Sequence, residues 1–108
     1  MLLFDALGGK VGEVASDESA FPHRRALASV QIYSGAESGK SAVFRVQRDL
    51  ASLVGSGAYV NYINADQPDW AQAYYGANLP RLRTIVQHYD PNGVFTFPQS
   101  ALHAGVAG

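Results

Sequence analysis

The chain has 108 residues, with 8 Lys and Arg against 9 Asp and Glu, so its formal net charge is -1. This balance leaves no basic surface that could hold a phosphate backbone, which argues against a dedicated nucleic-acid-binding protein. Cysteine is absent, which excludes disulfides, thiolate metal sites and cysteine nucleophiles.

The first half of the chain predicts two strands and one long helix. An apolar segment at 2–7 is followed by residues 10–14, which alternate polar and apolar side chains as a half-buried strand does. A second strand is predicted over 26–33. The apolar side chains of 41–53 recur at the spacing of one helical face, and Gly55 suits a left-handed exit from that helix.

The second half begins with the segment 58–63, whose Tyr, Val and Ile content predicts a third strand. A short helix capped by Asp66 is expected to run to Gly76. Another helix is predicted over 78–89, and the turn sequence of 90–93 ends it.

This order predicts an α+β fold with a small, mainly antiparallel sheet of about three strands and helices on one face. So few strands leave two sheet edges open and cannot bury both faces of the sheet. Charged residues make up 16% of the chain, against about a quarter in ordinary soluble domains. Either the domain is compact and rich in Ala and Gly, or another domain or chain covers part of its surface.

Two familiar kinds of site are disfavoured. The loop from Gly35 to Ser41 resembles a phosphate-binding loop, but it has three residues where four belong between the glycines, which argues against nucleotide hydrolysis. His23, His88 and His103 do not stand at metal-ligand spacing with one another or with a carboxylate, so no metal site is predicted.

Aromatic side chains cluster between residues 59 and 89, either as core packing or as the lining of a site for a flat ligand. Strand alternation would place Tyr59 and Asn61 on one face of the predicted strand and Tyr62 on the other. A buried Asn is costly unless its amide finds partners, so Asn61 is a candidate ligand contact.

An ordered set of motifs extends along the chain. They are Gly8-Gly9, Ala20-Phe-Pro-His-Arg24, Ala58-Tyr-Val-Asn-Tyr-Ile63, Trp70, Tyr74-Tyr-Gly-Ala-Asn78, Arg81-Leu82, Tyr89-Asp-Pro91, Val94-Phe95 and Phe97-Pro-Gln-Ser100. In this order and spacing they resemble the C-terminal part of the berberine bridge enzyme family of FAD-linked oxidases, and the resemblance covers nearly the whole chain.

The resemblance implies how the chain is organised. Residues 1–108 would be a single domain, a fragment of the larger substrate domain of an FAD-linked oxidase. Within it, residues 1–57 would be the end of a substrate-domain-like α+β region, 58–101 the berberine-bridge-type C-terminal segment and 102–108 a disordered tail. Family members carry an N-terminal FAD-binding domain to which nothing here corresponds, so FAD would be shared with a domain absent from this chain.

The resemblance also suggests roles for three residues. Tyr62 occupies the position of a Tyr proposed as the catalytic base, which removes a hydroxyl proton while hydride passes to the flavin; some members use a carboxylate elsewhere instead. Tyr59 and Asn61 match cofactor-binding positions near the isoalloxazine. A free phenol titrates near 10, so such a base needs neighbours that lower this value. The opposite parity of Tyr62 requires the strand to end or bulge there.

The expected function is therefore the C-terminal portion of an FAD-dependent oxidoreductase, inactive alone, with an FAD-binding domain or chain and a small-molecule substrate as partners. A non-enzymatic α+β module that binds a ligand or forms a homodimer is the alternative. The apolar runs are too short to span a membrane, and the start of the chain lacks a signal-peptide pattern, so a cytoplasmic location is the default expectation.

Overall fold

A computed structural model describes residues 1–101 of the chain. These residues belong to two compact units. The first unit consists of Met1–Val14 and His23–Ser56, and the second consists of Ala15–Pro22 and the chain from Gly57 onward. The predicted disordered tail, 102–108, lies outside the described residues.

The first unit is built on a two-stranded sheet. Strand β1, Leu2–Ala6, pairs antiparallel with strand β2, Ala28–Ile32, in a register that places Phe4 opposite Val30. Because side chains alternate across a sheet, this register produces one apolar face, formed by Leu2, Phe4, Ala6, Ala28, Val30 and Ile32. The opposite face carries Leu3, Asp5, Ser29 and Gln31.

Helix α2, Lys40–Val54, confirms the predicted long helix and contacts β2. It ends where predicted, at Gly55, whose φ of 96° is a conformation that favours glycine. Val43 and Leu50 on this helix are half-buried, whereas β1 is exposed at every residue. In the described part of the chain the first unit has no fully buried residue, so its apolar face is largely uncovered.

The described part of the second unit consists of two helices and long loops. Helix α3, Trp70–Tyr75, is joined to helix α4, Leu79–Tyr89, by a 3₁₀ turn over Gly76–Asn78. Among the described residues the buried apolar side chains are Ala73, Tyr74 and Ala101. The buried polar side chains are Gln67, Asn78, Asp90, Gln99 and Ser100. Polar groups therefore outnumber apolar ones in the interior of this unit, and hydrogen bonds have to satisfy them.

The α+β class is confirmed, but the strand predicted over 10–14 is wrong. These residues contain a one-turn helix, α1, Lys10–Glu13, which follows Gly9 at a φ of 54°. The Lys10 ammonium lies 2.6 Å from the Glu13 carboxylate, an i,i+3 pair that suits a helical turn. Val11 and Val14 are spaced by three residues, so the short alternating pattern fitted a helical turn as well as a strand.

The third predicted strand, 58–63, is also wrong, and the sheet has two strands rather than about three within residues 1–101. The amide of Tyr62 donates to the Tyr59 carbonyl at 3.0 Å and closes a turn, while the Ala58 amide donates to Ala73 in α3 at 2.9 Å. Strand preference reflects packing beside a neighbouring strand, and β1 and β2 pair only with each other in the described structure.

The helix expected from Asp66 begins later, at Trp70, because the preceding residues form turns and Asp69 has a φ of 45°. Helix α4 ends as predicted at Asp90. The buried Asp90 carboxylate accepts hydrogen bonds from the amides of Val94 and Phe95, each at 2.8 Å, and so reverses the chain.

Asn78 ties the loop 15–22 to the start of α4. Its side-chain amide donates to the carbonyls of Ser16 at 2.7 Å and Ser19 at 3.0 Å, and Arg81 donates to the Asp17 carbonyl at 3.0 Å. The loop has little regular structure of its own, so these bonds satisfy backbone acceptors that would otherwise depend on water.

We expect Asn78→Ala to lower the free energy of unfolding of this unit by about 1–3 kcal/mol, because it leaves two loop carbonyls without their donor. Denaturant titration followed by circular dichroism measures this loss. Asn92→Ala, at an exposed position, is the control. Equal losses in the two variants would contradict the assigned role of Asn78.

Candidate functional site

The turn at 59–62 brings the three residues predicted to form the site together. The Asn61 side-chain amide donates to the Tyr59 hydroxyl at 2.9 Å, and the rings of Tyr59 and Tyr62 lie 5.8 Å apart between centroids. The predicted separation of Tyr62 on an opposite strand face is therefore wrong, because the segment turns instead of extending.

Phe21 supports this turn from the loop 15–22. Its ring meets that of Tyr59 edge-on, with centroids 5.5 Å apart and planes at 85°. Such a pair contributes about 0.5–1.5 kcal/mol beyond the burial of its surface. Asn78 fixes the same loop, so the orientation of Tyr59 depends on a residue nineteen positions along the chain.

The side chains of the turn lie on an open surface. Tyr62 is 62% exposed and Tyr59 40% exposed, and Asn61 is exposed as well. The expectation of a buried Asn61 is wrong: its amide is on the surface, where it bonds to Tyr59. Two phenols and an amide on an exposed turn can contact a flat ring and bond to its polar edge.

Both ends of the turn are fixed to α3. At its start, the Ala58 amide donates to the Ala73 carbonyl, and just past its end the Asn64 amide donates to the Tyr74 hydroxyl at 3.0 Å. Gln99 completes the arrangement by donating its side-chain amide to the Asn64 carbonyl at 2.9 Å. The sequence indicated Tyr74 as a member of the aromatic cluster, but it did not indicate the hydrogen bonds of Asn64 and Gln99.

A second polar group lies on the sheet of the first unit and was also missed. The Tyr33 hydroxyl donates to the Gln31 side-chain carbonyl, and the Gln31 amide donates to the Asp5 carboxylate at 2.6 Å. The sequence did contain a signal for this polar group, because the polar residues of β2 recur at every second position and therefore share one face of the strand. It needed the register with β1 to bring Asp5 beside Gln31.

Among residues 1–101, no group of three or more His, Asp or Glu side chains is arranged to hold a metal ion. No helix in that part of the chain combines the length and apolar character needed to cross a membrane.

The chain is similar to a protein family and to several FAD-linked oxidoreductases. Residues 58–101 match the family model described as berberine and berberine like. The chain is 39% identical over 99 residues to the uncharacterized FAD-linked oxidoreductase YvdP of Bacillus subtilis, a match that covers 86% of this chain and 22% of the relative. It is 36% identical to the uncharacterized FAD-linked oxidoreductase YgaK of the same organism, over 88% of this chain and 22% of that protein.

The chain is also 31% identical to a carbohydrate oxidase of Microdochium nivale, over 89% of this chain and 22% of that protein. It therefore spans about a fifth of the length of these relatives. No solved structure matches it significantly.

The stability of the second unit depends on pH through the Tyr75 phenol. Burial raises the pKa of the Tyr75 phenol above its ordinary value of 10.0, and the neighbouring Tyr74 raises it further. Because the folded-state pKa lies above the unfolded value, the folded chain holds this proton more tightly. Its stabilising contribution is fully present below about pH 10 and is lost as the pH rises through the folded-state pKa.

We therefore expect Tyr75→Phe to reduce the loss of stability between roughly pH 9 and pH 11, since the variant has no phenol to ionise at this position. Denaturation midpoints measured across that range test this. Tyr89→Phe is the control, because Tyr89 is 80% exposed. The assignment to Tyr75 is contradicted if the two variants follow the same pH dependence.

Proposed function

Because the chain belongs to the berberine bridge enzyme-like family of FAD-linked oxidoreductases, we propose that it forms the C-terminal part of the flavin and substrate site of such an enzyme. The observation that carries this proposal is the exposed turn where Tyr59, Asn61 and Tyr62 lie together. It falls inside the segment that matches the family model.

The turn fits a flavin in its chemistry and in its exposure. FAD, when bound, supplies the two-electron acceptor for the oxidation. The Tyr59 ring offers an apolar surface and a hydroxyl, and the Asn61 amide offers a donor and an acceptor, which suits the polar edge of a ring. These two residues would contact the cofactor.

In the proposed reaction the Tyr62 oxygen removes the hydroxyl proton of an alcohol substrate as the adjacent C–H bond is oxidised. A phenol acts as a base near neutral pH only where its surroundings stabilise the phenolate. Tyr62 is 62% exposed in this chain, so the proposed FAD-binding partner has to supply those surroundings. A small molecule with an oxidisable hydroxyl is the proposed substrate, and the carbohydrate oxidase among the relatives makes sugars the first class to test.

The need for a partner domain is supported by the uncovered apolar surface. In the first unit, Phe4 of β1 is 64% exposed, and in α2 Leu53 is 79% exposed. Apolar surface of this kind is normally covered by another domain or chain. The chain spans about a fifth of its relatives, so we propose that an FAD-binding domain or chain, together with the rest of the substrate domain, covers it.

Reconstitution tests the function. We expect the chain, co-expressed with the part of the Bacillus subtilis relative YvdP that lies outside the match, to form an assembly with flavin absorbance that releases hydrogen peroxide when supplied with sugars. In that assembly Tyr62→Phe should lower turnover by about 10²–10⁴-fold, because general-base catalysis contributes on that scale.

Tyr89→Phe is the matched control, since it removes another exposed phenol outside the turn and should leave turnover unchanged. Flavin content is measured in every variant. If the active assembly forms and Tyr62→Phe has full activity, Tyr62 is not the base. If no flavin is retained with any FAD-binding partner, the proposed function itself is wrong.

A non-enzymatic homodimer is the second candidate, and the exposure of β1 favours it. Every residue of β1 is exposed, and in the described sheet its outer edge pairs with no strand. Two copies could pair these edges around a two-fold axis. Sedimentation of the chain alone would then show a stable dimer, whereas a monomer would contradict this candidate.

A further inference from the structure

Three groups next to the turn form a closed ring of hydrogen bonds. The Asn64 amide donates to the Tyr74 hydroxyl at 3.0 Å, and the Gln99 side-chain amide donates to the Asn64 carbonyl at 2.9 Å. The Tyr74 hydroxyl lies 3.3 Å from both the Gln99 side-chain oxygen and the Asn64 carbonyl.

The Tyr74 hydroxyl proton has one free acceptor within reach. The Asn64 carbonyl already accepts from Gln99 and from the Gln67 amide at 3.0 Å, which uses both of its lone pairs. The single Tyr74 proton is therefore directed to the Gln99 side-chain oxygen. This closes the ring from Asn64 to Tyr74, from Tyr74 to Gln99, and from Gln99 back to Asn64.

Tyr74 and Gln99 are buried and Asn64 is half-buried, which makes the bonds of the ring expensive to break. Tyr74 is 1% exposed and Gln99 7% exposed. In a low-dielectric interior such bonds reinforce one another, and an unpaired member carries the full cost of its desolvation. The ring thus fixes both the N–H and the C=O of one residue, Asn64.

Asn64 stands two positions after Tyr62, and the Ala58 amide pins the other end of the segment to the Ala73 carbonyl. The exposed side chains of the turn therefore sit on a backbone held at both ends by adjacent residues of α3. Small displacements of a reacting group can lower rates strongly, so a polar side chain on an exposed turn needs such support.

We propose that Tyr74 and Gln99 are positioning residues that hold the turn 59–62 in the geometry its site requires. This inference rests on the proposed function for its catalytic meaning, but the positioning itself is a property of the chain alone. Tyr74 and Gln99 act through Asn64 and do not contact the substrate.

Hydrogen exchange of the isolated chain, followed by NMR, tests the positioning. The Tyr62 amide, bonded to the Tyr59 carbonyl, reports on the turn, and the Asp90 amide, bonded to the Val86 carbonyl at 2.8 Å, reports on α4. Tyr74→Phe should raise exchange at Tyr62 by about tenfold, the effect of one lost hydrogen bond, and leave exchange at Asp90 unchanged.

Tyr75→Phe is the matched control. It removes the neighbouring hydroxyl of α3, which donates to the Gln99 backbone carbonyl at 3.5 Å and not to the Gln99 side chain that takes part in the hydrogen-bonded ring. Exchange at Tyr62 should stay at the wild-type rate in this variant. The Asn61 side-chain amide resonances should likewise shift in Tyr74→Phe and not in Tyr75→Phe.

Gln99→Met is the second variant and carries the test if Tyr74→Phe does not fold. Because both substitutions open the same ring, the double variant should exchange at Tyr62 little faster than either single variant. Unchanged exchange at Tyr62 in both singles would overturn the proposal. An equal rise at Tyr62 and Asp90 would also overturn it, because that result indicates general loosening.

The reconstituted flavin assembly tests whether the positioning of the turn affects catalysis. Tyr74→Phe should lower kcat by about tenfold or more at unchanged flavin content, while Tyr75→Phe leaves it unchanged. An unchanged kcat in Tyr74→Phe would show that the positioning of the turn does not affect catalysis. The exchange experiment needs no flavin, so failure of the reconstitution refutes the proposed function without altering the result for the ring.

Discussion

The hydrogen bonds between the Tyr74 hydroxyl, the Asn64 backbone and the Gln99 side chain join three separate segments of the second unit. In the described part of this unit, the buried apolar residues besides Tyr74 are Ala73 and Ala101. Apolar burial is ordinarily the dominant favourable contribution to folding, so a unit with so little of it depends on directional bonds. Such bonds fix positions more narrowly than apolar contacts do, because each needs its own distance and angle.

Hydrogen bonds of this kind also define the other loops of the unit. Asn78 holds the loop 15–22, which presents Phe21 to Tyr59, and Asp90 turns the chain after α4. The Asn78 and Asp90 side chains are buried and bonded to backbone groups. The outcome is an exposed turn with polar aromatic side chains on a supported backbone, which is consistent with the proposed contact with FAD.

The first unit has the opposite character. Its sheet places apolar side chains on one face by strict alternation, yet no residue in its described part is fully buried. The chain spans about a fifth of the length of its relatives, and the proposed FAD-binding partner would cover this face.

Some elements of the fold could be predicted from the sequence and others could not. Helix α2 and helix α4 were predictable because their apolar spacing extends over several turns and a Gly or an Asp marks the end. The segment 58–63 was not, because its composition suits a strand only where a partner strand is present. The five residues at 10–14 were too few to distinguish the alternation of a strand from the spacing of a helical turn.

The sequence by itself determined the α+β class, the family and the identity of Tyr59, Asn61 and Tyr62 as candidate site residues, since motifs and their order are written along the chain. Only the tertiary structure decided that these three residues meet in one exposed turn and that Tyr74 and Gln99 fix its backbone. Gln99 lies 35 residues from Asn64, and no local pattern encodes a hydrogen bond across such a separation. Such a bond exists only once the folded chain has brought the donor and the acceptor together.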